Sequence, residues 1–157
     1  MATMGDLTMG TANTHVIRHA GKILALEEGH FPYEVTSELE TVGPWDFDGR
    51  LKTSMTAHPK ICPETGEMMF FSYFNFEAPY LNYHRVNADG ELVQSEGIEI
   101  PNIVMMHDFN ITRNHTIFMD LPLTFSLESI DESGVWNLSM RVVYHSVSIL
   151  KLVLVWE

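Results

Sequence analysis

Two histidines sit in settings that suit metal chemistry. His58 lies in Thr56-Ala57-His58-Pro59-Lys60, and His107 in Met105-Met106-His107-Asp108-Phe109-Asn110-Ile111-Thr112. Each is followed by a polar turn and then an apolar run, Met68-Met69-Phe70-Phe71-Ser72-Tyr73 after the first and Thr116-Ile117-Phe118-Met119-Asp120-Leu121 after the second. Neutral imidazole binds first-row metals well, so two such side chains delivered to one point could share one ion. The plainer alternative is a strand-edge histidine at His58 and a surface His-Asp pair at His107. Met105, Met106 and Phe109 around His107 favour an interior strand start over a surface pair. His15 and His19 have the i, i+4 spacing of a helical metal pair. Val16, Ile17 and the nearby Gly21 argue against a helix there, so both read as structural. His30, His84 and His115 sit beside turns and read as solvated, and Glu27 reads as the solvent-facing member of the Glu27-Glu28 pair.

The elements that must position these residues read as strands. Thr14 to Leu26 forms a hairpin turning at Ala20-Gly21-Lys22, and Tyr33-Glu34-Val35 and Glu40-Thr41-Val42 follow as short strands closed by Asp48-Gly49. A second unit starts at Met55, turns at Pro63-Glu64-Thr65-Gly66 and enters the run 68–76. It continues through Leu81 to Val86, the hairpin signal Asn87-Ala88-Asp89-Gly90, and the returning stretch Leu92 to Ile100. A third starts at Ile103 and turns at Arg113-Asn114-His115. Helical periodicity is weak throughout, which predicts an all-β chain. Met68 to Phe76 is apolar on both faces apart from Ser72 and Asn75, as in a strand buried between neighbouring sheets. The unit starts near His15, His58 and His107 are 43 and 49 residues apart, close to the roughly 40–50 residues of a β-propeller blade. The expected fold is a partial β-propeller of about three blades. The expected organisation is a disordered lead-in over 1–12, the propeller-like part over 13–127, and a divergent tail over 128–157 whose texture contains no fourth unit start.

Bulk properties exclude several classes. The net charge of -12 repels phosphate backbones, so no nucleic-acid partner is expected. Cys62 is the only cysteine, which removes disulfide frameworks and thiolate clusters. Met1 to Asn13 lacks the blocks of a secretory signal, and no apolar run is long enough for a transmembrane helix. A cytoplasmic location is the resulting expectation.

Five segments, in order, resemble the carotenoid cleavage oxygenase family. They are Asn13-Thr14-His15-Val16-Ile17-Arg18-His19-Ala20-Gly21-Lys22; Leu24-Ala25-Leu26-Glu27-Glu28-Gly29; Ala57-His58-Pro59-Lys60 with Pro63-Glu64-Thr65-Gly66-Glu67; His107-Asp108-Phe109-Asn110-Ile111-Thr112; and Phe118-Met119-Asp120-Leu121-Pro122. The resemblance covers roughly residues 13–127. It implies a piece of a seven-bladed propeller in which four histidines hold Fe(2+) on the axis. The implied reaction is O2-dependent cleavage of a conjugated C=C bond in a carotenoid, apocarotenoid or stilbene, giving two carbonyl products. By the same resemblance, His58 corresponds to the first iron ligand and His107 to the second. Glu28 corresponds to the carboxylate that stands behind the second ligand and orients it. The family's other two histidines lie beyond the matched part, and His145 fits neither. The implied partners are a lipophilic polyene or stilbene and O2, with room for peripheral membrane contact in full-length relatives. Phe70, Phe71, Phe74 and Phe76 offer an aromatic approach, although central-strand aromatics more often pack.

Two rival readings remain beside the Fe(II) dioxygenase. One is a catalytically inactive fragment or β-repeat binding remnant with half of the iron site. The other is a small cupin-like metal enzyme, which the lack of a His-x-His pair disfavours.

Overall fold

The computed structural model describes residues 6–73, 75, 77–121, 123–128, 137–142 and 151–153. Among these, every regular element is a β-strand, and no helix is long and apolar enough to cross a membrane. The chain divides into two compact units, Met1–Glu99 and Ile100–Glu157.

The first unit holds two four-stranded antiparallel sheets. In one, β1 (His15–His19), β2 (Lys22–Leu26), β3 (Tyr33–Val35) and β4 (Thr41–Pro44) lie in chain order. The β1–β2 hairpin turns on Ala20 and Gly21, whose φ values of +46° and +80° are the positive pair that matches the twist of a tight hairpin. The pairing runs from His15 opposite Leu26 to His19 opposite Lys22, so the strand reading of the two histidines holds. Leu7 and Thr11, ahead of β1, reach the same sheet region. Phe31 N donates to Leu7 O (2.8 Å) and Thr11 Oγ1 donates to Glu27 (3.1 Å).

The other sheet is β5 (Lys60–Ile61), β6 (Met68–Ser72), β7 (Leu81–Val86) and β8 (Leu92–Ile98), again in chain order. All five residues of β6 are buried, as its apolar run predicts; Phe74 and Phe76 lie outside the described residues. The β7–β8 connection closes as expected. Gly90 N donates to Asn87 O (3.0 Å), Asn87 N to Glu91 O (2.9 Å) and Glu91 N to Asn87 Oδ1 (2.8 Å).

The core lies between these two sheets. Leu24 and Leu26 of the first pack with Met68, Phe70, Val86 and Leu92 of the second, and Phe47, Leu51, Met55 and Ala57 come from the connecting stretch. Burial of such side chains is worth roughly 1.5–3 kcal/mol each, so this contact is what keeps the sheets docked. A column of rings runs through it. Trp45 meets Phe47 at 6.0 Å, Phe47 stacks on Phe70 at 5.7 Å, and Phe70 stacks on His84 at 4.7 Å.

His84 is therefore not solvated as expected from the neighbouring turn. It is 1% exposed, because β7 buries Leu81, Tyr83, His84 and Val86 and does not alternate. Its ring nitrogens each meet a hydroxyl, Nε2 with Thr53 Oγ1 and Nδ1 with Ser95 Oγ, both at 3.0 Å. Burial pushes its pKa down to about 4, so it is a neutral core group. Glu27 departs from expectation in the same sense. Its side chain is 16% exposed and is paired with His30.

In the second unit, β9 (Asn110–Ile111) and β10 (Thr116–Phe118) form a hairpin across the expected turn, with Thr112 N donating to His115 O at 2.7 Å. β13 (Lys151–Val153) pairs with the other edge of β10, and β11 (Leu123–Glu128) pairs with β12 (Asn137–Val142). Phe109 and Phe118 stack at 5.6 Å within this unit. His145 and most of the tail lie outside the described residues. Of the four described sheets, those that open with β1, β5 and β9 begin close to the unit starts read near His15, His58 and His107, and the β11–β12 pair has no such counterpart.

Candidate metal centre

His58 stands in the loop between Met55 and β5, and the loop is pinned from several sides. Thr56 N donates to Phe71 O at 2.9 Å, next to the end of β6, and His58 N donates to Thr56 Oγ1 at 3.2 Å. Thr56 and Ala57 are fully buried, whereas His58 is half-buried and still reachable. The Ala57 carbonyl accepts from His15 Nδ1 at 2.7 Å. That bond requires the proton on Nδ1 of His15. The His15 and His58 rings are 6.0 Å apart with a 30° tilt.

Glu28 lies two residues past the end of β2, also half-buried. A carboxylate oxygen of Glu28 and a ring nitrogen of His58 lie within 4.8 Å of each other. The Tyr73 hydroxyl, just beyond β6, donates to Glu28 Oε2. Tyr73 is fully buried. That burial, reinforced by the hydrogen bond and charge of Glu28, pushes its hydroxyl well above the usual phenol range. The hydroxyl therefore remains a donor and never a competing anion. Four segments distant in sequence thus meet at one corner of the first unit: the start of β1, the end of β2, the His58 loop and the end of β6.

His107 belongs to the second unit. It is exposed, between buried Met106 and buried Phe109, and Asp108 Oδ1 accepts from Phe109 N at 2.8 Å to hold the turn into β9. His15 and Tyr73 were not among the residues read as belonging to the site. The apolar run before Tyr73 reads as core, and nothing local ties it to a glutamate 45 residues earlier. For His15, its place inside the first family-like segment is the available signal.

The donor chemistry at the first-unit corner suits iron. A neutral imidazole is a nitrogen donor that suits Fe(II), and a carboxylate that accepts from a ligand imidazole fixes its tautomer and adds negative charge beside the metal.

Comparisons with known proteins agree in class. The family described as retinal pigment epithelial membrane protein matches residues 3–148. The carotenoid 9,10(9',10')-cleavage dioxygenase of Crocus sativus is 46% identical over 130 residues, covering 80% of this chain and 24% of that protein. The carotenoid 9,10(9',10')-cleavage dioxygenase 1 of Pisum sativum is 48% identical over 120 residues, covering 74% of this chain and 22% of that protein. The chain therefore belongs to the carotenoid cleavage oxygenase family. Its structure resembles that of Pseudomonas brassicacearum lignostilbene dioxygenase with a TM-score of 0.73 and 34% identity, over 91% of this chain and 32% of that one. The fold is accordingly a part of that family's propeller, and the chain spans about a quarter of the length of the curated relatives it matches.

Proposed function

We propose that this chain supplies part of an Fe(II) centre for oxidative cleavage of a conjugated C=C bond in a carotenoid, apocarotenoid or stilbene. His58 and His107 are two of the iron ligands, and Glu28 orients the second. The observation that carries this reading is the half-buried His58 imidazole beside the Glu28 carboxylate, in a chain whose relatives are named for such cleavage. Bound iron would supply the activation of O2. The chain's own residues do the rest of what can be assigned. The buried Thr56-Ala57 pair and His15 hold the His58 loop rigid, and Tyr73 holds Glu28. Glu28 in turn accepts a hydrogen bond from an imidazole N–H and so keeps the opposite nitrogen unprotonated for the metal.

The 157 residues by themselves contain two of the four family ligands. The second reading, that they hold iron weakly and turn nothing over, is favoured by that count. Anaerobic Fe(II) titration of the chain against the His58→Ala/His107→Ala double variant tests the site, with loss of binding in the variant expected. Equal binding by both would overturn it. Adding O2 with a panel of carotenoids and stilbenes then separates the two readings. Aldehyde products that vanish in His58→Ala would show a competent enzyme; their absence alongside intact iron binding would favour the weak, inactive site.

A further inference from the structure

Tyr73 links the buried end of β6 to the carboxylate beside His58. We propose that Tyr73 is a positioning residue of the iron centre, whose buried hydroxyl fixes the Glu28 carboxylate so that Glu28 presents one constant oxygen to the ligand imidazole. This rests on the iron reading above and adds a residue to it.

The physical argument starts from the freedom of a glutamate. Glu28 follows the end of β2 and is only half-buried, and the terminal torsion of a glutamate is broad. Left to packing alone, its two oxygens would exchange places and its direction would wander. A charge-assisted hydrogen bond from a phenol is among the stronger restraints available. Here the donor comes from a side chain that cannot itself move, because Tyr73 is fully buried and its ring lies against Phe71 at 5.8 Å. Fixing Oε2 fixes the direction of the whole carboxylate. The backbone bond from Thr56 N to Phe71 O ties the His58 loop to the same end of β6. The Glu28 carboxylate and the neighbouring His58 imidazole are thus both held from one strand end, so the carboxylate that orients the second ligand keeps a fixed place beside the first. A site held in this way by its surroundings keeps its geometry before the metal arrives.

The test is anaerobic Fe(II) titration of the full chain as wild type, Tyr73→Phe, Glu28→Gln and the Tyr73→Phe/Glu28→Gln double variant. The visible spectrum of the Co(II)-loaded forms and the thermal melt of each apo form are recorded in parallel. Phe71→Leu, a change in the neighbouring ring that leaves both hydroxyl and carboxylate in place, gauges what lost packing alone does. The expected result is a weakening by about 10-fold in Tyr73→Phe with an altered Co(II) spectrum. The double variant should be no weaker than Glu28→Gln, because both changes act through one carboxylate. Wild-type affinity and spectrum in Tyr73→Phe would overturn the proposal, as would a loss that simply adds to that of Glu28→Gln or is matched by Phe71→Leu. If the wild type itself shows no His58-dependent Fe(II) binding, the iron reading falls and this inference falls with it. That outcome is distinct from a wild type that binds through His58 while Tyr73→Phe is indistinguishable from it.

Discussion

His84 and His58 stand in the same unit and present the same side chain, yet they are built for opposite ends. His84 is sealed among Phe70, Thr53 and Ser95, with both nitrogens taken by hydroxyls. His58 is half-buried, next to another imidazole and a carboxylate. The first environment removes the charged form and leaves no room for a ligand. The second leaves the ring part-exposed and sets a carboxylate nearby. A histidine's neighbours, not its presence, separate a packed core group from a candidate ligand.

The sharpest way to break this contrast is to remove the ring beneath His84. Phe70→Ala should destabilise the chain by about 3–5 kcal/mol, read as a fall in the urea midpoint. A loss below about 1 kcal/mol would show that the ring column is not the packing centre of the unit.

Acid tests the same region next. His84 has a folded pKa of about 4 against an ordinary 6.5, so the unfolded chain takes up the proton first. Stability from this group is fully present above pH 6.5. It declines as pH falls, and it levels off below about pH 4 when the folded form is protonated too. The total is about 3 kcal/mol. Urea unfolding at pH 7.5 and 4.5 measures it, and His84→Gln should flatten the difference; an unchanged slope in that variant would move the effect elsewhere.

At the other corner the proposed iron site predicts effects on binding. Glu28→Gln keeps the shape of the side chain and removes its charge, so Fe(II) affinity should fall by about 10–100-fold while the melting temperature of the apo chain barely moves. A large melting shift with unchanged affinity would turn Glu28 into a structural residue like His84. The smallest expected effect lies on the surface of the second sheet. There Arg85 and Glu67 pair at 2.7 Å with side chains 31% and 28% exposed. Arg85→Ala should cost less than about 1 kcal/mol, a baseline against which the two histidine regions can be judged.

The contrast also explains what the sequence made readable. The hairpins at Ala20-Gly21 and Asn87-Gly90 were readable because turn chemistry is local, and β6 because a doubly apolar run has few other uses. His58, His107 and Glu28 stood out through their family-like surroundings. His84 departs from its reading because the turn at Asn87-Gly90 is close in sequence, while its neighbours in space are Phe70 and hydroxyls 31 and 11 residues away. Tyr73 was hidden for the converse reason. It continues an apolar run, and only the folded chain brings its hydroxyl to Glu28.

The hydrogen bond from His15 to Ala57 spans 42 residues, and that from Tyr73 to Glu28 spans 45. Contacts this far apart along a chain form late, because the loop between them must be closed before either bond exists. Each joins one sheet of the first unit to the other or to the stretch between them. A nascent or half-folded chain would therefore carry His58 on an untethered loop and Glu28 without its tyrosine partner. If the corner holds iron as proposed, metal uptake would follow the docking of these two sheets, and a loaded site would report that they had docked.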